Sequence, residues 1–423
     1  MSHMTSKSAY LSLEERLNRF PQGAPASETL YKILGILFSE KEAALVAQLP
    51  IKPFTTKKAA AIWAMPQSEA QKILNDLAGR CILLDMESNG EVRYILPPPM
   101  AGFLEFSMMR TRNDINQKLL GELFYQYMNE EEDFVKELFF STDTRLGRVF
   151  VNESSLDSES TLHILDYEKA SHIIKSARHI GIGMCYCRHK MEHVGKNCSA
   201  PIDNICMTFG NSADALIRHD YARRIEASEC LELLNRAYEY NLVQCGENVR
   251  NDVSFICNCC GCCCEALVAA RKFGTLRPVE TTGFLPLLNE ESCISCGKCE
   301  KSCQIDVITM SQKNGKKIPV IDESICLGCG LCVRACPNKS LILKKTNRTV
   351  ITPATSVHRV VLMAIEKGML QELIFDNKAL FSHRVMAVIL SAILKMPPIK
   401  KAMASEQMKS IYLEKLIARG SID

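Results

Sequence analysis

The sequence predicts an α+β multidomain protein, and three observations carry that prediction. The chain has 423 residues, too many for one small core and enough for about two to four domains. Helical periodicity dominates both ends, while short strand-like runs that end in cysteines occupy the middle. Most of the 21 cysteines fall in three tight groups between Cys185 and Cys336.

Composition narrows the class further. Hydrophobic residues make up 47% and charged residues 23%, as in a soluble globular protein. A net charge of +3 and a pI near 8.0 are far from the polybasic balance that marks a dedicated nucleic-acid binder. A secreted disulfide scaffold would follow an apolar leader, but MSHMTSKSAYLSLEERLNRF carries Arg and Glu in that place. The expected compartment is the reducing cytoplasm. MSHM reads as an expression remnant, with the native start expected at Met4, and 1–28 as a leader. The longest uncharged apolar run, VMAVILSAIL at 385–394, is closed by Arg384 and Lys395 and is too short to cross a bilayer.

Residues 29–112 form the first expected domain. ETLYKILGILFS, EKEAALVAQL, TTKKAAAIWA and QSEAQKILNDLAGR have helical spacing, and CILLDMESNGEVRYIL alternates about a Ser-Asn-Gly turn. Helix, turn, helix and β wing in this order resemble a winged-helix domain, in which the helix before the wing enters the major groove. The equivalent helix here sets Lys72 and Arg80 against Glu69 and Asp76, and the wing sets Asp85, Glu87 and Glu91 against Arg93. Phosphate binding needs a cationic excess, so DNA is not expected as a partner. The domain reads as a docking or homodimerisation module. Residues 113–160 follow as a helical connector ending in the polar stretch SSLDSES.

Residues 161–285 are expected to be a cysteine-rich α/β domain. YEKASHIIKSARH reads as a helix, and HIGIGMCYC as a strand entering a cysteine pair. Cys185, Cys187, Cys198 and Cys206 make a C-x-C-x10-C-x7-C set, enough for one [4Fe-4S] cubane or one zinc ion; the C-x-C start favours iron. Arg188 and His189 are expected to bind near that cofactor as a cationic rim or as proton donors, with His193 close by. GIG at 181–183 lacks the third glycine of a dinucleotide fingerprint and reads as a tight approach to the cluster. FICNCCGCCC then supplies Cys257, Cys259, Cys260, Cys262, Cys263 and Cys264, sufficient for a fourth cluster with two thiols to spare. Gly261 permits the sharp turn that these thiols need. Cys230 and Cys245 read as core thiols.

The strongest motif lies in 286–345. Cys293-x2-Cys296-x2-Cys299-x3-Cys303 recurs as Cys326-x2-Cys329-x2-Cys332-x3-Cys336-Pro337, with Gly297 matching Gly330 and Glu290 matching Glu323. This segment resembles bacterial two-cluster [4Fe-4S] ferredoxins. The resemblance implies one cluster on Cys293, Cys296, Cys299 and Cys336, and a second on Cys326, Cys329, Cys332 and Cys303. Gly297 and Gly330 would let backbone N–H groups approach the cofactor. One departure stands out: Gln304 occupies the position that Pro337 holds in the second run.

The C-x-C-R start, the cysteine-packed segment and the ferredoxin repeat together resemble a group of multi-cluster iron–sulfur proteins of anaerobes with an N-terminal winged-helix-like domain. No reaction comes across with that resemblance. Cys259-Cys260-Gly261 is similar to the Cys-Cys-Gly modules of heterodisulfide reductases, but their widely separated partner cysteines are missing. Residues 346–423 read as a helical tail in which Arg384, Lys395, Lys400 and Lys401 surround an apolar stretch, a candidate for peripheral membrane contact.

The first functional reading is a multi-cluster electron-transfer protein that passes single electrons from a low-potential donor to a partner redox enzyme. The second is an iron–sulfur reductase whose central domain binds substrate and is fed by the ferredoxin segment. The third is a redox-sensing winged-helix regulator, which the acidic wing opposes.

Overall fold

The computed structural model describes residues 2–374, apart from Asn89, 158–160, 162–163 and 347–349. The chain divides into two compact units, one built from Met1–Thr144 with the segment from Ser356 onward, the other from Arg145–Thr355. The second unit thus begins before residue 161, because β4 (Gly147–Val149) pairs with β8 (Val243–Glu247) inside it.

In the first unit, local chemistry sets the helix starts. Ser27 caps Glu28–Leu37 by accepting from Leu30 N–H, and Ser39 forms a capping box with Glu42 at the start of Glu40–Val46; such caps contribute about 1 kcal/mol each. The helices Thr56–Trp63 and Gln67–Gly79 follow, and a small antiparallel sheet forms in the order β1 (Phe54–Thr55), β3 (Glu91–Ile95), β2 (Leu84–Ser88). The expected leader is part of this fold. Ser2–Leu17 is a helix, Leu13 and Leu17 are buried, and the buried Arg16 guanidinium donates to the carbonyls of Leu49 and Pro50. The tail helix Ser356–Glu366 is held by its Glu366 carboxylate, which accepts from the Thr144 N–H at 2.9 Å and hydroxyl at 2.6 Å. The apolar stretch 385–394 with Arg384, Lys395, Lys400 and Lys401 lies outside the described residues. No described helix is long and apolar enough to cross a membrane.

The second unit is built on a six-stranded sheet with the order β4, β8, β9 (Phe255–Cys259), β6 (Cys206–Phe209), β5 (Ile180–Gly183), β7 (Ala222–Arg224). All of its strand pairs are antiparallel, so the central domain is α+β and not the α/β domain expected from alternating strand and helix patterns. Antiparallel neighbours need no helical crossover. The short helices therefore serve as covers and not as links of parallel units.

Strand alternation sends side chains to two faces. Ile180, Ile182, Met207 and Ile256 pack with Ala170, Ile173, Ile174, Cys230 and Leu234 of the helices Ala170–Ser176 and Ala227–Glu239. Val149, Val243, Cys245 and Cys259 face the other way, into a core shared with Cys299, Ile308, Cys326, Leu331 and Leu341. Burying each large aliphatic contributes about 1.5–3 kcal/mol. The ferredoxin segment is thus built onto one face of the central sheet.

Within that segment β10 (Phe284–Leu288) pairs with β13 (Leu341–Lys345), and β11 (Ile308–Lys313) forms a hairpin with β12 (Lys316–Ile321). The hairpin turns at Asn314-Gly315, both at positive φ, as a two-residue turn between right-twisted strands requires. Within GIG, Gly181 packs against the neighbouring strands, since a Cβ there would stand 2.8 Å from Thr208 Oγ1 and 3.1 Å from Ala222 Cβ. Gly183 stands opposite Cys206 of β6.

Candidate metal centre

All 21 cysteines are free thiols, and 19 of them fall into four sets within the second unit. The first set, Cys293, Cys296, Cys299 and Cys336, lines one cavity together with Gly297. Gly297 (φ 69°) precedes the helix Lys298–Ser302 in a left-handed turn that glycine takes without strain. Ser340 N–H donates to Cys336 Sγ at 3.2 Å, and backbone donors at Cys299 and Glu300 reach Cys299. The second set joins Cys303 to Cys326, Cys329 and Cys332. Burial and then the neighbouring thiols Cys329, Cys326, Cys303 and Cys299 push the Cys332 thiol well up. Gly330 (φ 86°) opens the short helix Leu331–Arg334, but a Cβ there would strike Leu343 and Ser155. Packing is therefore a second reason for glycine at that turn. Both quartets offer four thiols in an apolar, donor-lined setting that fits a [4Fe-4S] cluster, whose potential such N–H···S bonds and burial tune.

The central cysteines sort differently from the sequence grouping. Cys185, Cys187, Cys198 and Cys206 do not make one site. Cys198, carried past the end of the helix Tyr186–His193 and the turn at Gly195 (φ 66°), joins Cys260, Cys262 and Cys263, and the four sulfurs all lie within 4.8 Å of one another. The six cysteines of 257–264 are likewise shared between two sites. Cys257, Cys259 and Cys264 go with Cys185, Cys187, Cys206 and Cys245 in a path of electrostatically coupled thiols: Cys185 with Cys187, Cys187 with Cys264, Cys264 with Cys259, and Cys259 with both Cys245 and Cys257, with Cys257 meeting Cys206.

Strand geometry explains the path. Cys257 and Cys259 are two apart on β9 and share a face, and the register sets Cys245 of β8 directly opposite Cys257. Cys206 stands one residue before the Met207↔Ile256 pair on the other side of β9. A row of thiols therefore runs across three adjacent strands. Cys245 is the ligand candidate that sequence reading missed; strand alternation about Gln244 and the C-x-C of β9 is the signal that could have found it. Cys230, also read as a core thiol, is fully buried in the helix core, and burial pushes it up to about 12.

Between Cys257 and Cys259, Asn258 fixes the strand. Its Nδ2 donates to Ile205 O at 2.8 Å, and its Oδ1 accepts from Gln244 Nε2 at 2.9 Å. Its carbonyl accepts from Arg188 Nη2 at 2.8 Å. Arg188 is not a rim residue: it is 1% exposed and also donates to Pro201 O at 3.2 Å. Burial pulls its pKa down, but the nearby Cys185, Cys260 and Cys259 and its hydrogen bond with Cys198 hold it up, so it stays charged between the two thiol sets. His189 is buried, and its Nε2 lies 3.1 Å from that of His193. Lys190 and Glu265, 0% and 3% exposed, form a buried ion pair.

The electrostatics favour anionic sulfur at specific positions. Hydrogen bonds from Cys206 and Cys259 hold Cys257 well below the usual thiol range. Burial raises Cys187, but bonds from Cys185, Cys264 and Tyr186 outweigh it and hold that thiol low. Cys260 is lowered to about 4 by its bond with Cys263 and, against burial, by Arg188. Thiolate is the metal-binding form, and the close approach of the Cys198, Cys260, Cys262 and Cys263 sulfurs fits metal ligation.

Gln304, the departure between the two ferredoxin runs, has a place in this centre. Its Oε1 accepts from Gly261 N–H at 2.8 Å, and its Nε2 donates to Asn241 O at 2.8 Å. Asn241 Nδ2 donates in turn to Ser302 O at 2.7 Å. Arg271 donates to Gly261 O at 3.1 Å and forms an ion pair with Asp306. The cysteine-packed turn is thereby bolted to the first ferredoxin run. Beside it lies an open cleft of about 1080 Å3, lined by Cys262, Lys196, Arg271, Lys272, Asp306 and Ile325 among others. Cys262 is the exposed thiol of its set.

Residues 292–340 match the 4Fe-4S dicluster domain family. Comparison with curated proteins and with solved structures found no match. The protein carries a ferredoxin-type dicluster domain, and iron–sulfur electron transfer is its function at that level.

Proposed function

We propose that the protein passes single electrons from a low-potential protein donor, through the ferredoxin-type pair, into the central cysteine centre and on to a partner redox enzyme. One observation carries this reading: thiols of the central set and of both quartets share one apolar core inside one compact unit. Cys245, Cys259 and Cys264 pack in that core with Cys299, Cys326 and Cys332. Bound clusters supply one-electron chemistry. The chain's own residues hold them, keep water away through the shared apolar core, and stabilise negative charge with buried Arg188.

The test is stopped-flow reduction of anaerobically purified full-length protein by a low-potential donor. Iron above about eight per chain is expected, with spectral change in the central centre lagging the ferredoxin pair. Cys329→Ser should slow the central phase at least tenfold. An iron content of only about eight, or a central phase indifferent to Cys329, would refute the proposal.

A reductase reading has its own support in exposed Cys262 on the cleft. Spectral change in the central centre on adding a candidate substrate would favour it. For the N-terminal unit, the helix and strand order over 28–95 supports a winged-helix-like docking or homodimerisation module. DNA binding has little support, since Arg80 pairs with Glu42 and Asp76, and Arg93 with Glu91. The free thiols agree with the reducing cytoplasm as compartment.

A further inference from the structure

We infer that Cys198, Cys260, Cys262 and Cys263 form a mononuclear site that holds one tetrahedral thiolate-bound ion, zinc or iron, separate from every cluster. A tetrahedral ion with metal–sulfur bonds of about 2.3 Å requires its sulfurs to stand about 3.8 Å apart. Here Cys198 Sγ and Cys260 Sγ are 3.6 Å apart, Cys262 Sγ and Cys263 Sγ are 3.7 Å apart, and all pairs lie within 4.8 Å. A cubane interposes four irons and four sulfides between its cysteines, whose sulfurs must then stand farther apart.

The same chain provides the comparison. Among the described residues, no other group of three or more potential ligands closes to that separation. The two ferredoxin quartets, built for cubanes, are therefore wider. The seven central thiols are strung along a path and not drawn round one point. The four-thiol set differs from both.

The surroundings fit such an ion. Consecutive Cys262 and Cys263 can face one point because the chain turns through 260–264, with Cys264 N–H bonded to Cys260 O at 3.2 Å. Gly261 has no room for a Cβ at that turn. Four thiolates around a divalent ion leave net negative charge, and buried Arg188 bonds to Cys198 and lies near Cys260. The ion would tie the loop after Tyr186–His193 to the turn after β9, holding Cys257, Cys259 and Cys264 in register for the larger site.

Metal and acid-labile sulfide analysis of the anaerobically purified full chain, with Cys262→Ser and Cys198→Ser variants, tests this independently of electron transfer. Cys262 is exposed, so its replacement perturbs folding least, and retention of the dicluster signal in electron paramagnetic resonance confirms an intact fold. The expected result is loss of one metal equivalent with unchanged sulfide. Zinc lost identifies a redox-inert staple, iron lost a one-electron site, and either upholds the inference. X-ray absorption of the lost element should give about four sulfurs near 2.3 Å. Loss of about four sulfides with about four irons, or no metal lost from either variant, would overturn it.

Discussion

Replacing Gly261 by alanine tests the coupling between the cysteine-packed turn and the ferredoxin segment. The added Cβ would stand 1.7 Å from the carbonyl oxygen of Gln304 and 2.8 Å from its carbonyl carbon. Both are backbone atoms, so no rotamer change relieves the clash and one strand of chain must move. Overpacking of this kind costs about 1–3 kcal/mol. Displacement also strains the 2.8 Å bond from Gly261 N–H to Gln304, a further 0.5–1.5 kcal/mol or about that. The sum is about 2–4 kcal/mol, and each kcal/mol moves Tm by about 2–4 °C in a unit of this size. Thermal unfolding of anaerobic Gly261→Ala, followed by circular dichroism at one scan rate, should show a midpoint lower by roughly 5–15 °C. Gln304→Pro, which installs the residue of the second run, should act in the same direction by removing both Gln304 side-chain bonds. A Gly261→Ala protein that unfolds at the wild-type temperature would refute the reasoning.

Lys190→Met breaks the buried ion pair with Glu265 and should cost about 3–5 kcal/mol, whereas Lys190→Met with Glu265→Leu should recover most of that loss in denaturant unfolding. Cys245→Ser should leave the dicluster spectrum intact while slowing reduction of the central centre, read by stopped flow; an unchanged rate would exclude Cys245 from the path. Cys230 gives a pH test. Burial, then nearby Glu229, raises its folded pKa from 9.0 to about 12, so the unfolded chain releases that proton first. The contribution is intact below pH 9 and is lost as pH rises toward 12, at about 1.4 kcal/mol per unit. Stability of the wild type should therefore fall faster than that of Cys230→Ala between pH 9 and 11, and parallel curves would show that the thiol is not held neutral.

The ferredoxin segment was legible because its chemistry is local. Three closely spaced thiols and a distant fourth form a pattern along the chain, and Gly297 and Gly330 mark the turns that the pattern needs. The central centre is a product of sheet register, which spacing does not display. Cys245 and Cys257 are 12 positions apart in sequence, yet antiparallel pairing makes them neighbours. Cys198 sits between Cys187 and Cys206 in the chain, but its loop delivers it to the turn after β9 instead. The alternation of helix and strand suggested an α/β domain for a related reason: period and length identify elements, but not the direction in which neighbouring strands pair. The helix Ser2–Leu17 was missed because its opening tetrapeptide suggested a leader, although Leu13 and Leu17 already supplied an i, i+4 apolar pair.

Gln304 shows where a departure from a repeat is more informative than the repeat itself. A proline at that position would serve the local turn after the fourth cysteine, as in the second run, but it has neither a donor nor an acceptor side chain. The first run faces the cysteine-packed turn, and glutamine there satisfies Gly261 N–H and reaches Asn241 O at once. The second run is held by other segments: Asn152 N–H, beyond the end of β4, donates to Cys329 O at 2.8 Å, and Thr282 Oγ1, ahead of β10, donates to Gly328 O at 2.8 Å. The two ferredoxin runs are thus near copies in their ligands but not in their outward contacts. That asymmetry is expected if the segment is a fixed part of a longer electron path rather than a detachable carrier, because a fixed path requires a specific face of the dicluster to meet the central thiols.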